Sequence, residues 1–113
     1  MCSKEELNRM LEQMSSQLQA LFGSHLKNII LYGSYARGEA DDDSDVDVLV
    51  LVDLPREEIV RYRRAVAKIA SEYLFSDNIL IAPIIENQAF FEQHQAVLPF
   101  YRNIVSEGVR IGA

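Results

Sequence analysis

The run Val46-Asp47-Val48-Leu49-Val50-Leu51-Val52 limits what this chain can fold into more than any other stretch. A strand with one solvated face alternates apolar and polar residues, whereas here Asp47 is the single polar residue. The run therefore reads as a central strand covered on both faces. Asp45 and Asp47 mark its polar, amino-terminal end. Just upstream, six of the nine residues from Glu39 to Asp47 are carboxylates. Folding them side by side without a counter-charge is strongly self-repelling, so a cation is expected among them.

The other elements follow from periodicity and punctuation. Ser3 and Glu6 have the spacing of a capping box, and Leu7, Met10, Leu11, Met14, Leu18, Leu21 and Phe22 recur at helical spacing, which predicts a helix over Lys4 to Phe22. Gly23 and Ser24 end it, Leu26 to Asn28 read as a connection, and Ile29 to Tyr32 as a buried strand. Ser34 to Gly38 can open a short helix. Pro55, Glu57 and Glu58 suit the first turn of a second long helix reaching Phe75, with Ile59, Tyr62, Val66, Ile69, Ala70 and Tyr73 inward. Ser76 to Asn78 signal a turn, and Ile79 to Ile85 a third strand that Pro83 marks as an edge or a bulge. Asn87 caps a short helix through Phe90 and Phe91. Pro99 starts a last helix with Tyr101, Ile104 and Val105 inward and Gly108 as its stop, and Val109 to Ile111 form a tail or a short strand. The order predicts a small α/β (α+β) fold, a mixed sheet flanked by helices.

At 113 residues and 49% hydrophobic content the chain fits a single domain over residues 1–113. A net charge of −6 argues against a nucleic-acid surface, so no direct DNA binding is expected. The one dense basic cluster, Arg61, Arg63 and Arg64, reads first as a solvated helix face and second as a docking patch. Cys2 stands alone, the amino terminus lacks a signal-like pattern, and no apolar run reaches membrane-spanning length, so a cytoplasmic protein with no membrane contact is expected.

Residues two apart on a strand point to one face, so Asp45 and Asp47 project together. Two parallel carboxylates suit Mg²⁺, which keeps water and substrate phosphate oxygens in its remaining positions. Gly33 lets the backbone approach an anion, and Ser34 brings a hydroxyl and an amide N–H to a helix start where the dipole favours phosphate. Arg37, one turn later, either contacts the same phosphates or pairs with the neighbouring carboxylates to hold the loop. A phosphate cradle and metal ligands at one strand end are what phosphoryl or nucleotidyl transfer requires. Asp41, Asp42 and Asp43 read as solvated loop. An EF-hand starting at Asp41 lacks glycine at Val46 and glutamate at Val52.

Gly33-Ser34, ten intervening residues and Asp45-Val46-Asp47, within Tyr32-Gly33-Ser34-Tyr35-Ala36-Arg37-Gly38 and Ser44-Asp45-Val46-Asp47-Val48-Leu49-Val50, resemble the signature of the minimal nucleotidyltransferases of the DNA polymerase β-like superfamily. A weaker similarity continues through Ile79 to Pro83 and Leu98 to Ile104. The resemblance implies the polymerase β-like nucleotidyltransferase fold, ATP as substrate, two Mg²⁺ ions on Asp45 and Asp47, and transfer of AMP to a hydroxyl with release of pyrophosphate. It further implies an antitoxin whose partner is a HEPN-type ribonuclease toxin modified on a tyrosine. The alternative is a nucleotide-binding antitoxin of weakened catalysis that neutralises the HEPN partner by complex formation. A domain of this size is expected to work with a partner chain or as a homodimer.

Active members of that family carry a third carboxylate on the next strand. The apolar pattern after it aligns that position with Asn78, an amide that cannot serve as a base. Asp77, its neighbour, substitutes only where a bulge or turn re-aims it, and is the remaining catalytic candidate. His25 and His94 lack metal-ligand spacing and read as structural. Tyr32 reads as the last core residue of its strand, and Tyr35 as packing in preference to stacking on a base.

Overall fold

A computed structural model describes residues 2–111. Its elements are α1 (Lys4–Phe22), a 3₁₀ turn (Gly23–His25), β1 (Leu26–Tyr32), α2 (Ser34–Arg37), β2 (Val46–Val52), α3 (Arg56–Ile59), a second 3₁₀ turn (Val60–Tyr62), α4 (Arg63–Asp77), β3 (Ile81–Asn87), α5 (Gln88–His94), α6 (Pro99–Glu107) and β4 (Val109–Arg110). The four strands form one sheet in the order β3-β2-β1-β4, with β2 parallel to β3 and the other pairs antiparallel. The expected mixed sheet flanked by helices is present.

The sheet is covered unequally. On one face α1 and α4 bury Leu7, Met14, Leu18, Val66 and Tyr73 against Ile29, Leu31, Val46, Val48, Val50 and Val52. On the other, α5 and α6 set Phe91 and Ile104 against Tyr32, Leu49 and Leu51. Alternation along β2 therefore turns the valines to the larger core and Asp47, Leu49 and Leu51 to the smaller one. That is why β2 is buried along nearly its whole length and why its sequence carries almost no polar residue.

The capping box forms as expected: Ser3 Oγ accepts the Glu6 N–H at 3.1 Å, and Glu6 Oε1 accepts the Ser3 N–H at 3.4 Å. Asn87 caps α5 by accepting the Phe90 N–H at 2.9 Å. Several boundaries differ from the sequence expectation. Leu26 to Asn28 are strand, because Leu26 pairs with Val52 across a bulge despite the polar Lys27 and Asn28. The second long helix is broken by the 3₁₀ turn Val60–Tyr62 and continues past Phe75 to Asp77. Val105 is 55% exposed, since Tyr101, Ile104 and Glu107 at three-residue spacing define the inward stripe and leave it on the flank. Pro83 does lie on the edge strand, where its missing N–H costs no ladder bond to a further strand.

One buried carboxylate ties the smaller core together. Glu86 of β3 accepts the Tyr101 hydroxyl at 2.8 Å and its neighbour Asn87 N–H at 2.9 Å, and pairs with Arg56 at 3.4 Å. Arg56 also lies over the Phe90 ring, 4.2 Å from its centroid. No periodicity announces this network, because the expected strand, Ile79 to Ile85, stops one residue short of Glu86, whereas β3 runs to Asn87.

Leu18→Ala removes a fully buried side chain between α1 and the sheet and is expected to cost about 2–5 kcal/mol in denaturant unfolding. Tyr32 and Tyr101 are each pushed up to about 12, both chiefly by burial, helped by the charge of Asp47 for Tyr32 and by Glu86 for Tyr101. Their contribution to stability is full below the unfolded phenol value of about 10 and is lost as pH rises toward the folded one. Phenolate absorbance should show Tyr32 and Tyr101 titrating last among the tyrosines, and unfolding free energy should fall between about pH 10 and 12. Tyr101→Phe should flatten that decline.

Candidate active site

The site stands where β1 ends and β2 begins. Their antiparallel register puts Tyr32 opposite Asp47, so Gly33, the next residue, lies beside the Asp47 carboxylate. A Cβ on Gly33 would run into Asp47 Oδ2, and Gly33 adopts φ +79°. Glycine is required here twice over, by the close approach of the carboxylate and by the left-handed backbone. Ser34 opens the four-residue α2, which ends at Gly38 in the left-handed conformation.

Asp47 is half-buried, and its carboxyl is held above the usual carboxylate range, first by burial and then by the charge of Asp45, against a lowering by Arg37. Asp45 is exposed, just ahead of the strand. Among the described residues no hydrogen-bond donor reaches either carboxylate. A half-buried carboxylate beside a like charge and without a donor fits a cation ligand. No group of three His, Cys, Asp or Glu side chains that could hold a metal ion converges among the described residues.

Asp45 and Asp47 open onto different clefts. Asp47 lines a cleft of about 310 Å³ with Gly33, Ser34, Arg37, Phe100 and Glu107. Asp45 lines a cleft of about 530 Å³ with Tyr35, Asp42, Ser44, Asp77 and Asn78. Asp77 and Asn78 are not strand residues. Asp77 ends α4, and Asn78 caps it at φ 55°, three residues short of the position where β3 begins. The strand register points elsewhere: Asp47 pairs with Ala82 in the parallel ladder, and in-register neighbours share a face. The β3 position facing Asp47 thus carries a methyl group, and the alignment of Asn78 with a third carboxylate on the strand is corrected by four residues. The apolar pattern misled because the strand starts at Ile81 and Ile79-Leu80 continue its composition without its pairing.

Arg37 is engaged by two carboxylates. Its Nε donates to Glu39 at 3.2 Å, and its Nη1 to Glu107 at 3.2 Å. Glu107 also accepts the Gly33 N–H at 3.1 Å. Glu107 is the site residue that sequence reasoning missed, because 70 residues separate it from Arg37 and nothing near it has a motif's spacing. Tyr35 packs against the larger core, and the Cys2 thiol lies 4.0 Å from its hydroxyl. His25 pairs with Asp53 at 2.7 Å and His94 with the Phe90 carbonyl at 2.8 Å, both away from the site. Arg61, Arg63 and Arg64 are exposed along their helical segment. No helix among the described residues is long and apolar enough to cross a membrane.

Residues 8–110 match the family described as the nucleotidyltransferase domain. The chain belongs to that family. A nucleotidyltransferase of this size has close relatives: a protein of Methanocaldococcus jannaschii, provisionally named a protein adenylyltransferase, is 38% identical over 81 residues, covering 71% of this chain and 79% of that one. Among solved structures, a provisionally named nucleotidyltransferase from Sulfolobus solfataricus superposes with a TM-score of 0.63 at 14% identity, over 93% of this chain and 78% of that one. An antitoxin in complex with a tri-AMPylated HEPN toxin of Shewanella oneidensis gives a TM-score of 0.52 at 18% identity, over 94% of this chain and 72% of that one. These two likenesses establish the nucleotidyltransferase fold.

Gly33→Ala should displace the Asp47 carboxylate and strain the turn at once. The expected result is a folded protein destabilised by about 1–3 kcal/mol, with Mn²⁺ binding, followed by paramagnetic broadening, weakened at least about tenfold.

Proposed function

We propose that this nucleotidyltransferase transfers AMP from ATP to a tyrosine hydroxyl of a HEPN-type ribonuclease toxin and so acts as its antitoxin. The observation that carries the reading is the pairing of Tyr32 with Asp47, which sets the Gly33-Ser34 turn against the Asp47 carboxylate. Support also comes from the adenylyltransferase naming of the Methanocaldococcus relative and from the modified toxin bound in the Shewanella complex.

In this reading Asp45 and Asp47 hold Mg²⁺, in two ions as the resemblance implies, and Gly33, Ser34 and Arg37 face the triphosphate. The metal, when bound, offsets the charge of the phosphates and acidifies a hydroxyl brought to it. The acceptor oxygen forms a bond to the α-phosphorus, the bond to the bridging oxygen breaks, and pyrophosphate leaves. Ala82 stands where a carboxylate could take the acceptor's proton, so the chemistry favours an acceptor that releases its proton readily. A phenol, with a pKa of about 10, does so far better than an aliphatic hydroxyl. Asp77 keeps a place on the Asp45 cleft as a candidate proton acceptor reached from the end of α4.

Ala82 also favours a second reading, an antitoxin that neutralises its HEPN partner by complex formation and uses the nucleotide site weakly or not at all. The two separate in a transfer assay with ATP labelled at the α-phosphate, Mg²⁺ and the HEPN protein encoded beside this chain. The first reading expects label on a tyrosine of the partner, reduced at least about a hundredfold in Asp47→Asn and in Asp45→Asn. Neutralisation that survives both substitutions with no label incorporated gives the second.

A further inference from the structure

Glu107 is the last residue of α6, where the carbonyl ends of the helix make a carboxylate locally unfavourable. Its side chain is nevertheless only 22% exposed, and both its oxygens are occupied. Oε1 accepts the Gly33 N–H at 3.1 Å, and both oxygens lie 3.2 Å from Arg37 Nη1. The charge-assisted bonds to Arg37 offset the unfavourable helix end.

The support under Glu107 is rigid. One turn earlier, Ile104 is buried against Tyr32, Leu49 and Leu51. One residue later, Gly108 donates to the Ile104 carbonyl at 2.8 Å, and a Cβ there would strike that carbonyl and Ile30. The chain then pairs with β1 through β4, Leu31 opposite Val109 and Ile30 opposite Arg110. Glu107 is therefore held from both sides, while Gly33 and Arg37 belong to a loop of turns and a four-residue helix.

We propose that Glu107 is a positioning residue for nucleotide binding: by the reach of its carboxylate it fixes the backbone of Gly33, and with it Ser34 and the neighbouring Asp47, and orients the Arg37 guanidinium. Arg37, held at Nε by Glu39 and at Nη1 by Glu107, keeps its Nη2 hydrogens for a further acceptor, which no described residue supplies. The role is exerted through Gly33 and Arg37, with no proton taken and no metal held by Glu107 itself. The proposal rests on the reading of the Gly33-Ser34 turn as the nucleotide site.

The test is the affinity for ATP with Mg²⁺, measured by calorimetry on the full chain well below each variant's melting temperature. Glu107→Gln keeps the reach and an acceptor oxygen, Glu107→Asp keeps the charge but draws back by one methylene, and Glu107→Ala keeps neither. The expected order is wild type, then Gln within about threefold, then Asp, then Ala weakened about tenfold or more. A residue acting only on stability would lower the melting temperatures and leave these affinities alike, which overturns the proposal. Asp binding better than Gln shows that charge rather than reach matters, and equally overturns it, as does tighter binding in Ala. If Ala fails to fold, the order of Gln and Asp decides alone. Wild type failing to bind ATP with Mg²⁺ overturns the nucleotide-site reading together with this one, whereas wild-type binding with undiminished variants overturns this one only.

Discussion

The backbone ladder between β1 and β2 sets Tyr32 opposite Asp47, and the chemistry of the molecule depends on that register. A shift of one residue would turn Asp47 into the larger core and bring a valine to the cleft. What holds the register is burial on both faces: the valines of β2 fill the core under α1 and α4, while Leu49 and Leu51 fill the core under α5 and α6. A slip would exchange two sets of side chains of different volume in interiors packed close to crystal density. The hydrophobic core thus acts as the template that aligns a carboxylate with a glycine turn.

Electrostatics works against that template and is contained locally. Glu39 and Glu107 pair with Arg37, and Asp47, with Asp45 near it, is influenced by the same guanidinium. Desolvation and the Asp45 charge raise the Asp47 carboxyl, and Arg37 offsets only part of that. The surplus of negative charge is stored at the point where a metal ion bound to phosphates would relieve it. Elsewhere the buried carboxylate is paired. Buried Glu86 has Tyr101, Asn87 and Arg56, and no fully buried side-chain nitrogen or oxygen among the described residues lacks a partner. The contrast between a saturated Glu86 and an undonated Asp47 separates a structural carboxylate from one available for binding.

Local signals made most of this legible in the sequence. The capping box at Ser3, the all-apolar β2, the glycine at 33 and the proline on the edge strand each state a physical requirement of the residue itself. Long-range consequences stayed hidden. Leu26 to Asn28 look like a connection because the bulge that joins them to Val52 is a property of the pair. Asn78 looks like a strand residue because composition runs on through Ile79 and Leu80, whereas the helix C-cap that Asn78 makes depends on where α4 stops. Glu107 carries no signal at all, since its meaning arises only when α6 folds back beside β1.

The parallel pairing of β3 with β2 carries the last step. It sets Ala82 beside Asp47, and Ile84, on the same face of β3, is about half exposed. Beside Asp47 the sheet therefore presents the Ala82 methyl group in place of a further carboxylate. A metal ion held there would take its remaining oxygens from water and substrate. The sheet also gives up general-base assistance, commonly worth about 10²–10⁴ in rate, unless the acceptor is itself acidic or brings a base with it. A nucleotidyltransferase domain built this way gains most from an acceptor that arrives on another folded surface, because that surface can supply both the hydroxyl and the missing half of its environment.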